Sequence, residues 1–87
     1  MNNDTKIWIN HYCTQQSLRI NSNIDAIKLE IRNNQMVIDA IKSTGIHSEM
    51  ARDNMRFAER KVNSFNDARQ RCEGELVQIK QLRFTAI

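Results

Sequence analysis

Isoleucine recurs at a fixed spacing through residues 20–41, and this pattern constrains the fold more than any other feature of the chain. The isoleucines follow one another at steps of four and three, and Asn34 takes one place in the series. The members are Ile20, Ile24, Ile27, Ile31, Ile38 and Ile41. Such a spacing is typical of a helix that packs a narrow apolar seam against another helix. The pattern therefore predicts a long helix with a helical partner.

The chain almost lacks the two residues that interrupt helices. Its 87 residues include no proline and only two glycines. Long helices exclude both residue types from their interiors, whereas most globular folds use them in turns. We therefore expect a single helical-hairpin domain over residues 1–87, with helix 1 at about 5–43, a turn at 44–48 and helix 2 at about 49–84.

Three residues mark the predicted ends of these helices. Asp4 is the predicted N-cap of helix 1, since its carboxylate can accept the free backbone N–H groups of the first turn. Gly45 suits the left-handed position that follows a helix, and Ser48 is the predicted N-cap of helix 2. Ile46 and His47 are expected to bridge the turn.

A second seam with the same spacing occupies helix 2. Its members are Ala51, Met55, Ala58, Val62, Phe65, Arg69, Cys72, Leu76, Ile79, Arg83 and Ala86. In an antiparallel pair joined by a short turn, the two seams stay in register from Ile41 against Ala51 to Cys13 against Ile79. The predicted fold class is all-α, an antiparallel helical hairpin of two long, coiled-coil-like helices.

Two helices cannot cover all the apolar residues of this chain. Those left outside the seams are Trp8, Tyr12, Leu18, Leu29, Met36, Val37, Met50, Phe57, Ala68, Leu82 and Phe84. Extra apolar residues beside a seam widen it to the width found in bundles, and isoleucine at both seam positions favours more than two strands. We therefore expect a homodimer that forms a four-helix bundle, or docking onto helices of a larger protein.

The candidate interface residues come from the seams and from the leftover aromatic positions. They are Trp8, Tyr12, Ile20, Ile24, Ile27, Ile31, Asn34, Ile38, Phe57, Phe65 and Phe84. Asn34 has two interpretations: a buried amide that meets its mate and fixes the oligomeric state, or an edge residue beside Ala58 that reaches water. Arg69 either packs its stem while its head reaches solvent, or forms a buried ion pair.

Apolar and aromatic residues also gather at the end of the hairpin opposite the turn. The group is Ile7, Trp8, Ile9, Tyr12, Leu82, Phe84 and Ile87, and the register places Trp8 near Phe84. One interpretation is a partner-binding end, because Trp, Tyr and Phe are enriched in binding hot spots. The other is a plug that closes the end of the protein's own bundle.

Three arginines at steps of four form a basic face on helix 2. Arg52, Arg56 and Arg60, extended by Lys61, could contact successive phosphates of a nucleic acid. However, Glu49, Asp53 and Glu59 lie between them at distances that allow intrahelical ion pairs. A solvated, salt-bridged face is the competing interpretation, and it fits the modest net charge of +3.

The chain shows no pattern typical of a catalytic or metal site. Its two histidines and two cysteines lack zinc-site spacing, so no cofactor and no metal are expected. Cys13 and Cys72 are predicted to fill the core as free thiols. No apolar run is long enough to span a membrane, and a cytoplasmic location is the expectation. The ten asparagines and eleven isoleucines suggest AT-rich coding, as in phages and mobile elements.

The function expected from these features is a small, non-enzymatic module for protein–protein interaction or assembly. An adaptor, a chaperone or an inhibitor would each act through the apolar helix faces. The alternative is a dimeric helical bundle that regulates by binding nucleic acid through Arg52, Arg56 and Arg60. An enzyme is disfavoured, because two helices offer no concave pocket with converging polar groups.

Overall fold

The computed structural model describes residues 2–45 and 47–85 and contains two α-helices. Helix α1 is Asn3–Thr44 and helix α2 is Glu49–Thr85. The predicted all-α class and the helical hairpin are confirmed, and both helices begin and end within two residues of the expected positions. The roles predicted for Ile46 in the turn, for Ala86 in the second seam and for Ile87 at the open end fall outside the described residues.

Helix α1 begins earlier than predicted because a different side chain caps it. The Oδ1 atom of Asn2 accepts a hydrogen bond of 2.8 Å from the backbone N–H of Thr5. The prediction of Asp4 as N-cap is therefore wrong. Asn and Asp cap helices about equally well, and the Asn2 side chain allows the helix to start at Asn3. Asp4 lies in the first turn, where its negative charge favours the positive end of the helix dipole.

The turn between the helices uses the two residues predicted for it. Gly45 has a φ of 66°, the left-handed conformation that glycine adopts without steric cost. The Oγ atom of Ser48 accepts a hydrogen bond of 3.1 Å from the N–H of Ala51 and caps α2. The left-handed conformation of Gly45 therefore ends α1 and the Ser48 cap starts α2, and neither depends on the apolar seams.

The chain divides into two compact units, each containing part of both helices. The terminal unit combines α1 up to Asp25 with α2 from Gln70 onward. The turn unit is Ala26–Arg69, a hairpin that contains the turn.

The core of the terminal unit lies on the predicted seam at Cys13 and extends to Ile9, which was predicted only as part of the apolar open end. Ile9 and Cys13 are buried, and Ile79 packs against them. The Cys13 thiol donates a hydrogen bond of 3.7 Å to the backbone carbonyl oxygen of Ile79, which confirms this predicted pair. Ile20 and Ile24 are also buried, so the N-terminal part of the isoleucine series faces inward.

The turn unit buries fewer residues. Ile38 and Ala58 are its buried apolar residues, while most other seam positions are half-buried. The half-buried seam residues of this unit are Ile27, Ile31, Asn34, Ile41, Ala51, Met55, Val62, Phe65 and Arg69. Every described seam residue is thus at least half-buried, which confirms the seam assignment on both helices.

Candidate protein-interaction surface

Large apolar side chains are exposed along both helices. Twelve of them are between 39% and 80% exposed, whereas six hydrophobic residues are buried in the described part of the chain. The exposed residues are Ile7, Trp8, Tyr12, Leu18, Leu29, Met36, Val37, Met50, Phe57, Val77, Leu82 and Phe84. Single exposed hydrophobic residues are normal, so these side chains define a candidate surface where several of them lie together.

The structure separates the predicted interface residues into three groups. Ile20, Ile24 and Ile38 are buried, so their side chains pack within the hairpin and are not on its surface. Four others are half-buried on the seam: Ile27, Ile31, Asn34 and Phe65. The exposed group is Trp8, Tyr12, Phe57 and Phe84. The exposed members of the predicted set are therefore all aromatic.

Asn34 already has a hydrogen-bond partner within its own helix. Its Nδ2 atom donates a hydrogen bond of 2.8 Å to the backbone carbonyl oxygen of Glu30, one turn earlier. The side chain is half-buried. This geometry resembles the edge interpretation of Asn34 more than that of an amide sealed in the seam.

An aromatic pair marks one flank of the terminal unit. The rings of Trp8 and Tyr12 stack with centroids 5.6 Å apart and an interplanar angle of 14°. An ion pair between the two helices lies on the same flank, with Arg19 Nη2 3.6 Å from Glu75 Oε2. Tyr12 lies seven residues before Arg19, and Leu82 lies seven residues after Glu75, which is about two helical turns in each case. Helix geometry therefore places Leu82 at the level of Tyr12 on the same flank.

Phe84 does not join this aromatic pair. It borders an open depression on α2 together with Val77, Lys80, Gln81 and Thr85. Among the described residues, the ring contact of Trp8 is with Tyr12, and none with Phe84 is seen. The register of the seams fixes the level of a residue along the hairpin, but the helical rotation of 100° per residue decides its flank.

The two flanks of the turn unit differ in polarity. One flank holds a depression lined by Gln35, Ile38 and Lys42 of α1 and by Glu59, Val62 and Asn63 of α2. Val37 follows Gln35 by two residues, and Phe57 precedes Glu59 by two residues. Two residues along an α-helix correspond to a rotation of about 200°, so Val37 and Phe57 lie on the flank opposite this depression. Both are exposed, and the Lys61 ammonium lies 4.7 Å from the centre of the Phe57 ring.

Four exposed apolar residues form an outer stripe on α1, away from the seam. They are Ile7, Leu18, Leu29 and Met36, separated by eleven, eleven and seven residues. Eleven residues complete just over three helical turns and seven residues just under two, so these side chains return to nearly the same side. Our sequence-based interface set omitted all four, because it followed the 3.5-residue spacing of the seam. The eleven-residue spacing was the signal that could have found them.

The three arginines of the basic face are exposed on α2 but lie among acidic residues. Asp53 and Glu59 line the same depression as Arg56 and Arg60, and the Arg56–Asp53 ion pair measures 3.8 Å. Arg52 instead donates a hydrogen bond of 3.1 Å to the carbonyl oxygen of His47. Lys61, the fourth residue of the predicted face, lies over Phe57. The structure thus separates Lys61 from the arginines.

Other chemistry is sparse in the part of the chain that the structure describes. Cys13 and Cys72 are both free. Across residues 2–45 and 47–85, no group of three or more His, Cys, Asp or Glu side chains is arranged to hold a metal ion. Within the same ranges, neither helix is long and apolar enough to cross a membrane.

Comparison with known proteins adds no relationship to these observations. The chain matches no protein-family model, no curated protein and no solved structure.

Proposed function

We propose that this protein is a small, non-enzymatic interaction module whose exposed apolar helix surfaces pack against helices of another chain. The observation that supports it is the set of twelve large apolar side chains that stay exposed among the described residues. Chains of this length have little core of their own and are commonly completed by a partner. A second copy or the helices of a larger protein would both supply the missing surface.

The arrangement of the exposed residues supports helices as the partner. Each α1 group, the outer stripe and the Trp8–Tyr12 pair, follows helical spacing, so a helix lying alongside would contact several of its members at once. Trp and Tyr add contact area at low cost in side-chain entropy, which suits them to interfaces.

Thermal unfolding followed by circular dichroism at a series of protein concentrations tests this function. Self-association stabilises the folded chain by mass action, so the midpoint should rise with concentration. If the partner is a different protein, the isolated chain should show weak helicity. Full helicity with a single-chain mass and a midpoint independent of concentration would contradict the proposal, because the hairpin would then be stable with its apolar surface uncovered.

Nucleic-acid binding through Arg52, Arg56 and Arg60 is the alternative proposal. All three side chains are exposed, which favours it. The acidic residues in the same depressions weaken it, because Glu49, Asp53 and Glu59 would repel phosphates. Steep weakening of binding with added salt would support the alternative, since phosphate contacts release counterions.

A further inference from the structure

The open end of the hairpin, formed by residues 2–14 and 77–85 of the terminal unit, differs in charge from the turn unit. Its charged residues are Asp4, Lys6, Lys80 and Arg83, three cations against one carboxylate. The turn unit carries eight Lys and Arg residues interspersed with six Asp and Glu residues. Among the described residues, none of the three cations of the open end forms an ion pair. A surface of this charge favours an anionic partner.

Arg83 shows how little of this positive charge is compensated within the hairpin. It is half-buried, and its Nη2 atom donates a hydrogen bond of 2.8 Å to the Oγ1 atom of Thr14. A hydroxyl oxygen is a neutral acceptor, so the hydrogen bond orients the guanidinium without balancing its charge. The open end therefore keeps a positive charge that a partner can meet.

Half of the exposed large apolar side chains also belong to the open end. Six of the twelve lie there: Ile7, Trp8, Tyr12, Val77, Leu82 and Phe84. On each helix they extend over about 10 Å or less, because an α-helix rises about 1.5 Å per residue. Segments that bind at a membrane surface bury their apolar side chains to a depth of about 5–10 Å. The apolar part of the open end has this depth.

The exposed apolar residues of the open end lie on both flanks of the terminal unit. Trp8, Tyr12 and Leu82 share one flank. Phe84 follows Leu82 by two residues, a rotation of about 200°, and therefore lies on the other flank. Val77 precedes Phe84 by two helical turns and lies beside the same open depression. A helix packed alongside the unit covers one flank, whereas a bilayer surrounds an end that enters it.

We propose that the open end of the hairpin binds the surface of an anionic lipid bilayer. Its apolar side chains enter the boundary between headgroups and acyl chains, and Lys6, Lys80 and Arg83 contact the anionic headgroups. Trp8 and Tyr12 suit this boundary, because each ring is apolar and carries one polar group that can reach water. The inference goes beyond the proposed function, since lipid and not another helix covers this end. The exposed apolar residues of the turn unit remain available for a helical partner.

Titration of the full chain with lipid vesicles, followed by the fluorescence of Trp8, tests the proposal. Trp8 is the single tryptophan of the chain, and the emission of an indole moves to shorter wavelength when the ring leaves water. Vesicles of phosphatidylserine mixed with phosphatidylcholine should produce this shift. Vesicles of phosphatidylcholine alone should bind far more weakly, because they lack the negative surface potential. Added salt should weaken the binding, since it screens the cations.

Three variants separate the open end from the rest of the chain. Lys80→Glu changes the charge by two units and should weaken vesicle binding roughly 30-fold, as expected for cations at an anionic bilayer. Phe84 is 80% exposed, and Phe84→Gln should weaken binding roughly 10-fold through lost apolar burial. Lys28→Glu, the same charge change in the turn unit, is the matched control and should have little effect. All three positions are exposed, so circular dichroism should show unchanged helicity.

Each outcome of this experiment decides the proposal. A shift that requires phosphatidylserine, and that is weakened by Lys80→Glu and Phe84→Gln but not by Lys28→Glu, supports it. The absence of a shift with either vesicle overturns it and leaves the proposed function standing, because concentration-dependent unfolding without lipid tests that function separately. Equal shifts with both vesicles, or equal effects of Lys80→Glu and Lys28→Glu, also overturn it. A Trp8 emission that shifts with protein concentration alone, and no further with vesicles, overturns it in favour of a second copy covering this end.

Discussion

Helices α1 and α2 share one seam but differ on their outward sides. Leu18, Leu29 and Met36 face outward on α1, whereas the outward residues of α2, such as Arg56 and Asp67, are charged or polar. The seam explains why the two helices pair, and it requires one apolar side on each. The second apolar side of α1 serves no contact within the hairpin. This difference fits the proposed function, in which exposed apolar helix surfaces pack against helices of another chain.

The strongest prediction contrasts the two sides of α1. Ile20 is 1% exposed on the seam, and Ile20→Asp would bury an unpaired charge there. We expect a loss of about 3–5 kcal/mol, enough to unfold a domain of this size. Circular dichroism should show the helical signal lost at every protein concentration.

The matched control for this prediction is Leu18→Asp, two residues earlier on the opposite side of the same helix. Because Leu18 is exposed, this change should weaken association while helicity at high concentration is retained. Equal loss of helicity in both variants would show that the two sides of α1 are not functionally distinct.

A smaller change in stability, a gain and not a loss, is expected from a substitution on the outer side of α2. Gly74 lies in the helix interior with helical φ, and a Cβ added there meets nothing within 4 Å. Gly74→Ala should therefore stabilise the fold by about 0.5–1 kcal/mol through a less flexible unfolded chain. Chemical denaturation, with the midpoint compared at equal protein concentration, measures the change. A destabilised variant would indicate that this side of α2 is packed against something, contrary to the contrast between the helices.

The smallest effect is expected from the arginine face. Arg56→Glu removes an exposed ion pair of 3.8 Å with Asp53, and such pairs contribute about 0–1 kcal/mol. We expect stability and solution mass to be nearly unchanged. Electrophoretic mobility shifts with RNA and DNA at low salt would check the alternative function at the same time. Binding by the wild type that is lost in Arg56→Glu would favour a nucleic-acid role for α2.

The hairpin could be predicted from the sequence because seam spacing and local capping point to the same structure. Isoleucine spacing defined one helix face, Gly45 and Ser48 defined the turn, and the Cys13–Ile79 pair followed from the register. Asp4 was a wrong choice of cap because Asn2 offered an equivalent oxygen two residues earlier. Sequence spacing alone does not choose between two such neighbouring side chains.

The candidate surface was less predictable than the fold. Seam spacing gives the level of each residue and not its flank, so it led to an expected contact of Trp8 with Phe84, where the structure shows Trp8 stacked on Tyr12. The same spacing placed the deeply buried Ile20 among interface residues. Which apolar residues remain exposed depends on how two helices cover each other, and this is known only once the hairpin is assembled.

Light scattering behind size exclusion, at low and at high salt, tests most directly whether the apolar side of α1 requires another helix. Association of two copies predicts twice the 10.2 kDa mass of one chain, with full helicity. It also predicts little change at high salt, since apolar contacts are not screened. A fully helical species of single-chain mass at all accessible concentrations would contradict it, because the outer stripe of α1 would then remain uncovered in a stable protein.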